Sequence, residues 1–189
     1  MKLDSLSFIE GVPDHIGTRS SRSKSGKKAK NKGSSFERKI AKIMGDWWDS
    51  KFYRTPMSGG SQLRHDYNLA GDLSTPAEDF PFHIECKNQE ALGKFHGFLY
   101  SKKSAVWKWW DQCVSECPDG QIPMLIFTKN HAPNFVMLPQ NVWDKLSSSI
   151  TVGLDTPSFV IRVDSVAVIA LETVIGINKD IICKCLDRY

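Results

Sequence analysis

The chain has 189 residues and a formal net charge of +4 at pH 7, and 41% of its residues are hydrophobic and 11% aromatic. This length and composition predict one folded domain with a substantial apolar core and exclude a disordered protein. The sequence contains no run of 18 apolar residues and begins without a signal-like apolar segment, so we expect an intracellular protein with no membrane partner.

The positive charge is concentrated near the N-terminus. Seven of the 25 Lys and Arg residues lie between Arg19 and Lys32 without an acid, which leaves 18 cations against 21 acids elsewhere. Interleaved serines and glycine predict that residues 1–32 form a flexible basic tail. The tail is either a solubilising arm or a grip on DNA phosphates, and for the second role the candidates are Lys27, Lys28, Lys30 and Lys32.

A helix is predicted over Ser34–Trp48, because apolar residues recur there at helical spacing after a hinge at Gly33. Ser34 and Glu37 have the spacing of a capping box, in which Glu37 would satisfy a main-chain N–H at the start of the helix. Capping alone would account for Glu37.

The most informative stretch runs from Leu69 to Asn88. Phe82, Ile84 and Cys86 alternate with His83, Glu85 and Lys87, which predicts a strand with one buried face. The turn-rich interval before it predicts a hairpin, and antiparallel pairing would bring Asp72 beside Glu85 and Lys87.

Two adjacent carboxylates repel each other unless a cation lies between them, and carboxylate oxygens suit Mg²⁺ or Mn²⁺. A nearby lysine can orient or deprotonate a water, so this set predicts a hydrolytic site. The alternative is a solvated strand face on which the charges merely pair with each other.

The remaining elements predict an α/β protein with a mixed central sheet flanked by helices. A strand is expected at Phe52–Thr55, a helix at about Ser101–Cys117, then two strands and a short helix (Ile122–Thr128, Phe135–Leu138 and Asn141–Leu146). On the first of these helices, Trp109 and Val114 are assigned to the core and Trp107 to the outer face. Three more strands are predicted in a β-rich region, residues 148–189, following a core of residues 33–147 (Ser158–Val163, Val166–Leu171 and Ile181–Cys185). These strands could extend the sheet, form an appendage or supply an interface.

The five cysteines do not have the spacing of a zinc site. Cys113 and Cys117 have helical spacing, whereas Cys183 and Cys185 have strand spacing. We therefore expect reduced, buried thiols and no structural metal.

Three motifs together resemble the PD-(D/E)xK nuclease superfamily, and most closely its archaeal-type and phage Holliday junction resolvases. They are Gly33-x-x-x-Glu37-Arg38, then Arg54-x-Pro56-x-Ser58-Gly59-Gly60, and Asp72 followed by Glu85-x-Lys87. The resemblance covers roughly residues 32–128 and implies a restriction-endonuclease-like fold.

By this resemblance the chain is a Mg²⁺-dependent DNA endonuclease, with Mn²⁺ as a substitute. Asp72, Glu85, the Cys86 carbonyl and Glu37 would hold the metal, while Lys87, Ser58 and Gln112 would act on the water and the phosphate. Asp66 is the competitor of Asp72 as a ligand. DNA contacts are expected from the loop and the basic residues near it (Arg38, Arg54, Ser58, Gly59, Gly60 and Arg64).

The same resemblance implies four-way DNA junctions as the substrate and a homodimer, in the cytoplasm of a prokaryotic or phage-infected cell. Two alternatives stay open. One is a related nuclease that acts on ordinary duplexes or ends, and the other is a non-catalytic nucleic-acid-binding protein.

Overall fold

The structure, a computed structural model, describes residues 19–55, 71–89, 97–129, 132–149 and 160–187. The helices are α1 (Arg19–Trp48), α2 (Gly97–Tyr100), α3 (Ala105–Ser115), α4 (Gln140–Ser148), α5 (Leu171–Ile175) and α6 (Lys179–Cys185). The strands are β1 (Tyr53–Arg54), β2 (Leu73–Ser74), β3 (Phe82–Asn88), β4 (Ile122–Thr128), β5 (Phe135–Pro139), β6 (Val160–Val163) and β7 (Val166–Ala170).

The seven strands form one mixed sheet in the order β1-β2-β3-β4-β5-β7-β6. β3 and β4 are parallel, and the other neighbouring pairs are antiparallel. The connection from β3 to β4 contains α2 and α3, as a crossover between parallel strands requires. The predicted α/β class with a mixed, helix-flanked sheet is confirmed.

Helices cover both sides of the sheet. On one side, here called the α1 face, α1, α4, α5 and α6 pack against Ile84, Met124 and Ile126. On the other side, the α3 face, α2 and α3 pack against Leu125 and Phe127. Because both faces are covered, the prediction that only one face of β3 is buried was wrong.

The first helix begins at Arg19, well before the predicted start at Ser34. Ser34 therefore lies inside a helix and cannot be an N-cap, so the capping-box interpretation of Glu37 was wrong. The predicted flexible tail is likewise helical from Arg19 onward. Lys, Arg and Ala are good helix formers, and a single glycine inside a helix costs only about 1 kcal/mol, so Gly33 does not stop the helix.

The predicted outer face of α3 was also wrong. Trp107 is buried and its Nε1 donates a 2.9 Å hydrogen bond to the Phe98 carbonyl, whereas Val114 is exposed. Trp109 is partly buried against the same core. Trp107 is therefore a core residue, and Nζ of Lys102 stacks 3.7 Å above its ring.

The C-terminal region differs from the prediction in its last element. β6 and β7 extend the central sheet, but the predicted strand Ile181–Cys185 lies in α6. Asn178 caps this helix, since its side chain accepts a 2.7 Å hydrogen bond from the Asp180 N–H.

All five cysteines are free thiols. Among the described residues, no helix combines the length and apolar character needed to cross a membrane.

Candidate active site

Asp72 is held between the end of β1 and β3 by hydrogen bonds of its main chain. Its N–H donates a 2.9 Å hydrogen bond to the Ile84 carbonyl, and its own carbonyl accepts one of 2.9 Å from the Thr55 N–H. Its side-chain Oδ2 accepts a third bond of 2.9 Å from the Cys86 N–H. The carboxylate is therefore fixed beside β3, and only 7% of the residue's surface is exposed.

Gly71 permits this close approach. Its φ is +83°, and a Cβ at this position would lie 2.5 Å from the Ile84 carbonyl oxygen. An L side chain would be strained by the backbone angle and would also collide with β3. The Gly71-Asp72 pair in the sequence thus reflects a steric requirement of the site.

Glu85 and Lys87 lie on the α3 face of β3. They are two residues apart on one strand, so their side chains project to the same side. Nζ of Lys87 lies 2.5 Å from Oε1 of Glu85, and Glu85 is only 3% exposed. Burial alone would lower the pKa of Lys87, but the hydrogen bond and the charge of Glu85 outweigh it and raise that pKa. Lys87 is therefore an ammonium at neutral pH.

The carboxylates repel one another. Burial, and next the charge of Glu85, raise the pKa of Asp72 from 3.8 to about 7, against the lowering effect of the hydrogen bond from the Cys86 N–H. Burial and these same carboxylates also raise the pKa of the Cys86 thiol. A cation bound here would relieve a repulsion already present in the folded protein.

Glu37 approaches the same cluster from α1. Its carboxylate accepts a hydrogen bond from Nε of Arg54, and its charge contributes to the raised pKa of both Asp72 and Cys86. Arg54 is paired across the sheet with Leu73, whose side chain is in the α1-face core, so this ion pair lies on that face. Asp72 thus lies between two ion pairs, Glu37–Arg54 and Glu85–Lys87.

Glu116, which was not among the predicted site residues, also lies near Lys87. Nε2 of Gln112 donates a 3.2 Å hydrogen bond to Oε1 of Glu116 on the next turn, and the Glu116 charge contributes to the raised pKa of Lys87. Gln112 thus lies on the helix that covers Lys87. A Glu four residues after Gln112 is the only sequence signal for Glu116, and it is a weak one.

Several predicted site residues lie outside the described part of the chain. These are the loop residues Ser58, Gly59, Gly60 and Arg64 and the competing ligand Asp66. Lys27, Lys28 and Lys30 belong to α1, but the structure does not describe their side chains. Arg38 is exposed on α1, one residue after Glu37.

The donor set fits a divalent cation. Pro81 and Gln89 make ladder hydrogen bonds to β4, so the odd-numbered residues of β3 point to that strand and the even-numbered ones to β2. The Cys86 carbonyl therefore points, with its N–H, to the side of β3 on which Asp72 lies. Among the described residues no three His, Cys, Asp or Glu side chains form a ready-made metal cluster. Mg²⁺ needs none, because it keeps several waters and takes one or two carboxylates plus substrate phosphate.

A mixed sheet with helices on both faces, carrying Asp and Glu-x-Lys on a β-hairpin, defines a nuclease of the PD-(D/E)xK superfamily. The chain belongs to one family of that superfamily, since residues 28–183 match the model of the family described as "Phage putative PDDEXK endonuclease". The predicted membership of the superfamily is confirmed, and the chain is a nuclease whose substrate is DNA. Nucleases of this superfamily generally use divalent metals.

Searches of curated proteins and of solved structures returned no match.

Proposed function

We propose that the chain is a Mg²⁺-dependent endonuclease that cuts branched DNA as a Holliday junction resolvase. The observation that carries the catalytic part is the convergence of Asp72, Glu85 and Lys87 at β3, a strand inside the sheet. The preference for junctions is supported by the resemblance of the motifs around Glu37, Ser58 and Glu85, and by fold-level analogy.

Each side chain has a role in the proposed hydrolysis. Asp72, Glu85 and the Cys86 carbonyl would hold the cation, and Glu37 would complete the site directly or through a water. When bound, the cation would supply positive charge to the phosphate and lower the pKa of a water beside it. Lys87, kept as an ammonium by Glu85, orients that water. Attack on phosphorus breaks the bond to the 3′ oxygen and leaves a 5′ phosphate and a 3′ hydroxyl.

The proposed substrate requires two cuts in opposed strands. A two-fold homodimer would place one site on each strand, because a closed two-fold interface relates the two sites by the symmetry of the junction. Sedimentation of the free protein tests the dimer independently of cleavage.

Basic residues would supply the sequence-independent contacts to DNA phosphates. In α1, seven cations between Arg19 and Lys32 would neutralise phosphates and release counterions. By the resemblance of their motif, Ser58, Gly59 and Gly60 would contact the phosphate, and Arg38, Arg54 and Arg64 would add to the DNA contacts.

The test is cleavage of a labelled four-way junction compared with a linear duplex of the same sequence, with Mg²⁺, with Mn²⁺ and with chelator. Paired nicks in opposed strands of the junction, dependent on the metal and absent from the duplex, are the expected result. Equal cutting of both substrates would replace the resolvase proposal with a general duplex nuclease. Metal-independent cutting would contradict the proposed chemistry.

A further inference from the structure

The hydroxyl of Thr55 is buried without a hydrogen-bond partner. Thr55 follows β1 directly and is 4% exposed, and its Oγ1 has no partner in the part of the chain that the structure describes. A buried hydroxyl that gives up its bonds to water without a replacement costs free energy, so such groups are rare and require an explanation. Ser104 and Trp143 also carry unbonded polar atoms, but they lie at the start of α3 and in the α1-face core.

Thr55 lies directly opposite Asp72. β1 and β2 are antiparallel with Arg54 opposite Leu73, so the next pair in this register is Thr55 and Asp72. The 2.9 Å hydrogen bond from the Thr55 N–H to the Asp72 carbonyl continues the ladder to that pair. Directly opposite residues have Cβ atoms about 5 Å apart and side chains on the same face of the sheet. The Thr55 hydroxyl is therefore a neighbour of the Asp72 carboxylate.

Thr55 shares the α3 face with the Glu85–Lys87 pair. Arg54, the residue before it, belongs to the α1 face, and successive strand residues alternate between the two faces. The exposed fractions of Thr55 (4%), Asp72 (7%) and Glu85 (3%) are similar. A substrate group that reaches these carboxylates consequently also reaches the hydroxyl.

The other hydrogen-bond donors among the side chains of the site already have partners. Ionised carboxylates only accept hydrogen bonds, and the oxygens of a phosphodiester also need donors. Of the two cations described at the site, Lys87 is paired with Glu85 and Arg54 with Glu37. The Thr55 hydroxyl is a donor that no described group uses. It can therefore bond to an incoming phosphate without breaking an existing contact.

We propose that Thr55 is a substrate-binding residue whose hydroxyl donates a hydrogen bond to a phosphate oxygen of the DNA strand bound at Asp72. Threonine hydroxyls are among the groups that contact DNA phosphates. Because Thr55 is β-branched and paired in the sheet, its hydroxyl has few positions to choose from, and binding costs little further ordering. The hydrogen-bonding capacity left unused in the free protein is then satisfied in the complex. The substrate named here rests on the proposed function, to which Thr55 adds a contact that carries no charge.

The first measurement is the stability of Thr55→Val, which replaces the hydroxyl with a methyl group of nearly the same shape. Since the hydroxyl has no partner among the described residues, the variant should unfold in chelator at the same urea concentration as the wild type or at a higher one. Thr173→Val is the matched control, because Thr173 is 3% exposed on α5, which packs on β5 and β7. A midpoint that falls further in Thr55→Val than in the control would show that the hydroxyl is already bonded in the free protein, and would overturn the proposal.

The second measurement is binding to a short fluorescent duplex in chelator, over a range of salt concentrations. Loss of one neutral hydrogen bond should weaken the binding of Thr55→Val by about 2- to 10-fold at every salt concentration. The slope of log K against log salt should not change, because a hydroxyl neutralises no phosphate. Thr55→Ser keeps the hydroxyl and should bind like the wild type, as should Thr173→Val. Single-turnover cleavage with Mg²⁺ should fall by at least the same factor in Thr55→Val and be restored in Thr55→Ser.

A Mg²⁺ titration of the melting temperature without DNA separates a phosphate contact from a contact to a water on the cation. Thr55→Val should keep the wild-type Mg²⁺ midpoint, and Thr55→Ala serves if the valine variant does not fold. A shifted midpoint with unchanged DNA binding would assign the hydroxyl to such a water and overturn the phosphate contact. If the wild type cuts no DNA and Thr55→Val still weakens binding, the contact stands and the proposed nuclease reaction falls. If the wild type cuts junctions and Thr55→Val binds and cuts equally well, the reaction stands and the contact falls.

Discussion

The main-chain N–H of Cys86 donates a 2.9 Å hydrogen bond to Oδ2 of Asp72. This bond ties the carboxylate to the strand that carries Glu85 and Lys87, and it opposes the rise in the Asp72 pKa caused by burial and by Glu85. The site therefore holds its carboxylates close together by rigid main-chain contacts, at a cost in electrostatic repulsion. This cost leads to the first two predictions.

Removing either central carboxylate should abolish cleavage. Asp72→Asn and Glu85→Gln keep the shape and the hydrogen-bonding capacity of the side chains but remove the charge that holds a divalent cation. We expect a loss of at least about 100-fold in the cleavage rate, with DNA binding kept or tightened as phosphate repulsion falls. The measurement is single-turnover cleavage together with binding in chelator. Glu172→Gln, on the exposed side of α5, is the matched control and should cut normally.

The metal-free protein should become more stable when Asp72 loses its charge. The folded-state pKa of about 7 exceeds the ordinary 3.8, so the folded protein binds this proton more tightly than the unfolded chain does. The resulting penalty is absent below pH 3.8, grows as the pH rises towards 7 and is complete above it. At about 1.36 kcal/mol per pKa unit it is of the order of a few kcal/mol.

Asp72→Asn should therefore raise the free energy of unfolding in chelator more at pH 8 than at pH 5. Urea unfolding at the two pH values measures this difference. Adding Mg²⁺ at pH 8 should raise the melting temperature of the wild type and leave that of the variant nearly unchanged. A variant that is less stable than the wild type at pH 8 in chelator would contradict the electrostatic account.

Gly71→Ala should damage both folding and activity. Gly71 and Gly120 share a positive φ (+83° and +80°), but only at Gly71 would the new Cβ collide with neighbouring atoms. Gly120→Ala should thus cost only the backbone term of about 1–2 kcal/mol, and it serves as the control. Gly71→Ala should cost clearly more and should lower cleavage as well, because the strain is relieved by moving Asp72. Equal destabilisation by the two substitutions would contradict this prediction, because it would show that the Ile84 carbonyl moves away from the new Cβ at little cost in free energy.

Glu37→Gln separates a structural role of Glu37 from a catalytic one. The Glu37–Arg54 ion pair is partly exposed, so its loss should cost at most about 1 kcal/mol. Cleavage should nevertheless fall by about tenfold or more, because the amide supplies no charge to the site. Asp144→Asn breaks the exposed Asp144–Arg162 pair and is the control for stability. Full activity in Glu37→Gln would limit Glu37 to its ion pair with Arg54.

Local sequence patterns predicted much of the fold. The strand Ile122–Thr128 was predicted with its observed bounds, because a continuous apolar run between turn residues has few alternatives. The region Ile181–Cys185 was not, since a short apolar run with alternating cysteines fits a strand as well as a helix. The cap at Asn178 and packing against α4 decide for the helix. The start of α1 was also predicted too late. Gly33 was taken as a hinge before the helix, but the helix propensity of the preceding Lys, Arg and Ala residues carries α1 back to Arg19.

The sequence by itself predicted which charged side chains of the hairpin lie close together. Strand periodicity and turn residues are local properties of the chain. They predicted a hairpin that places Asp72 beside Glu85 and Lys87. Only the tertiary structure decided that Arg54 pairs with Glu37 and that Lys87 pairs with Glu85 on the other face of the sheet. Glu37 and Arg54 come from different elements, and the packing of α1 against one face of the sheet, which no local pattern contains, brings them together.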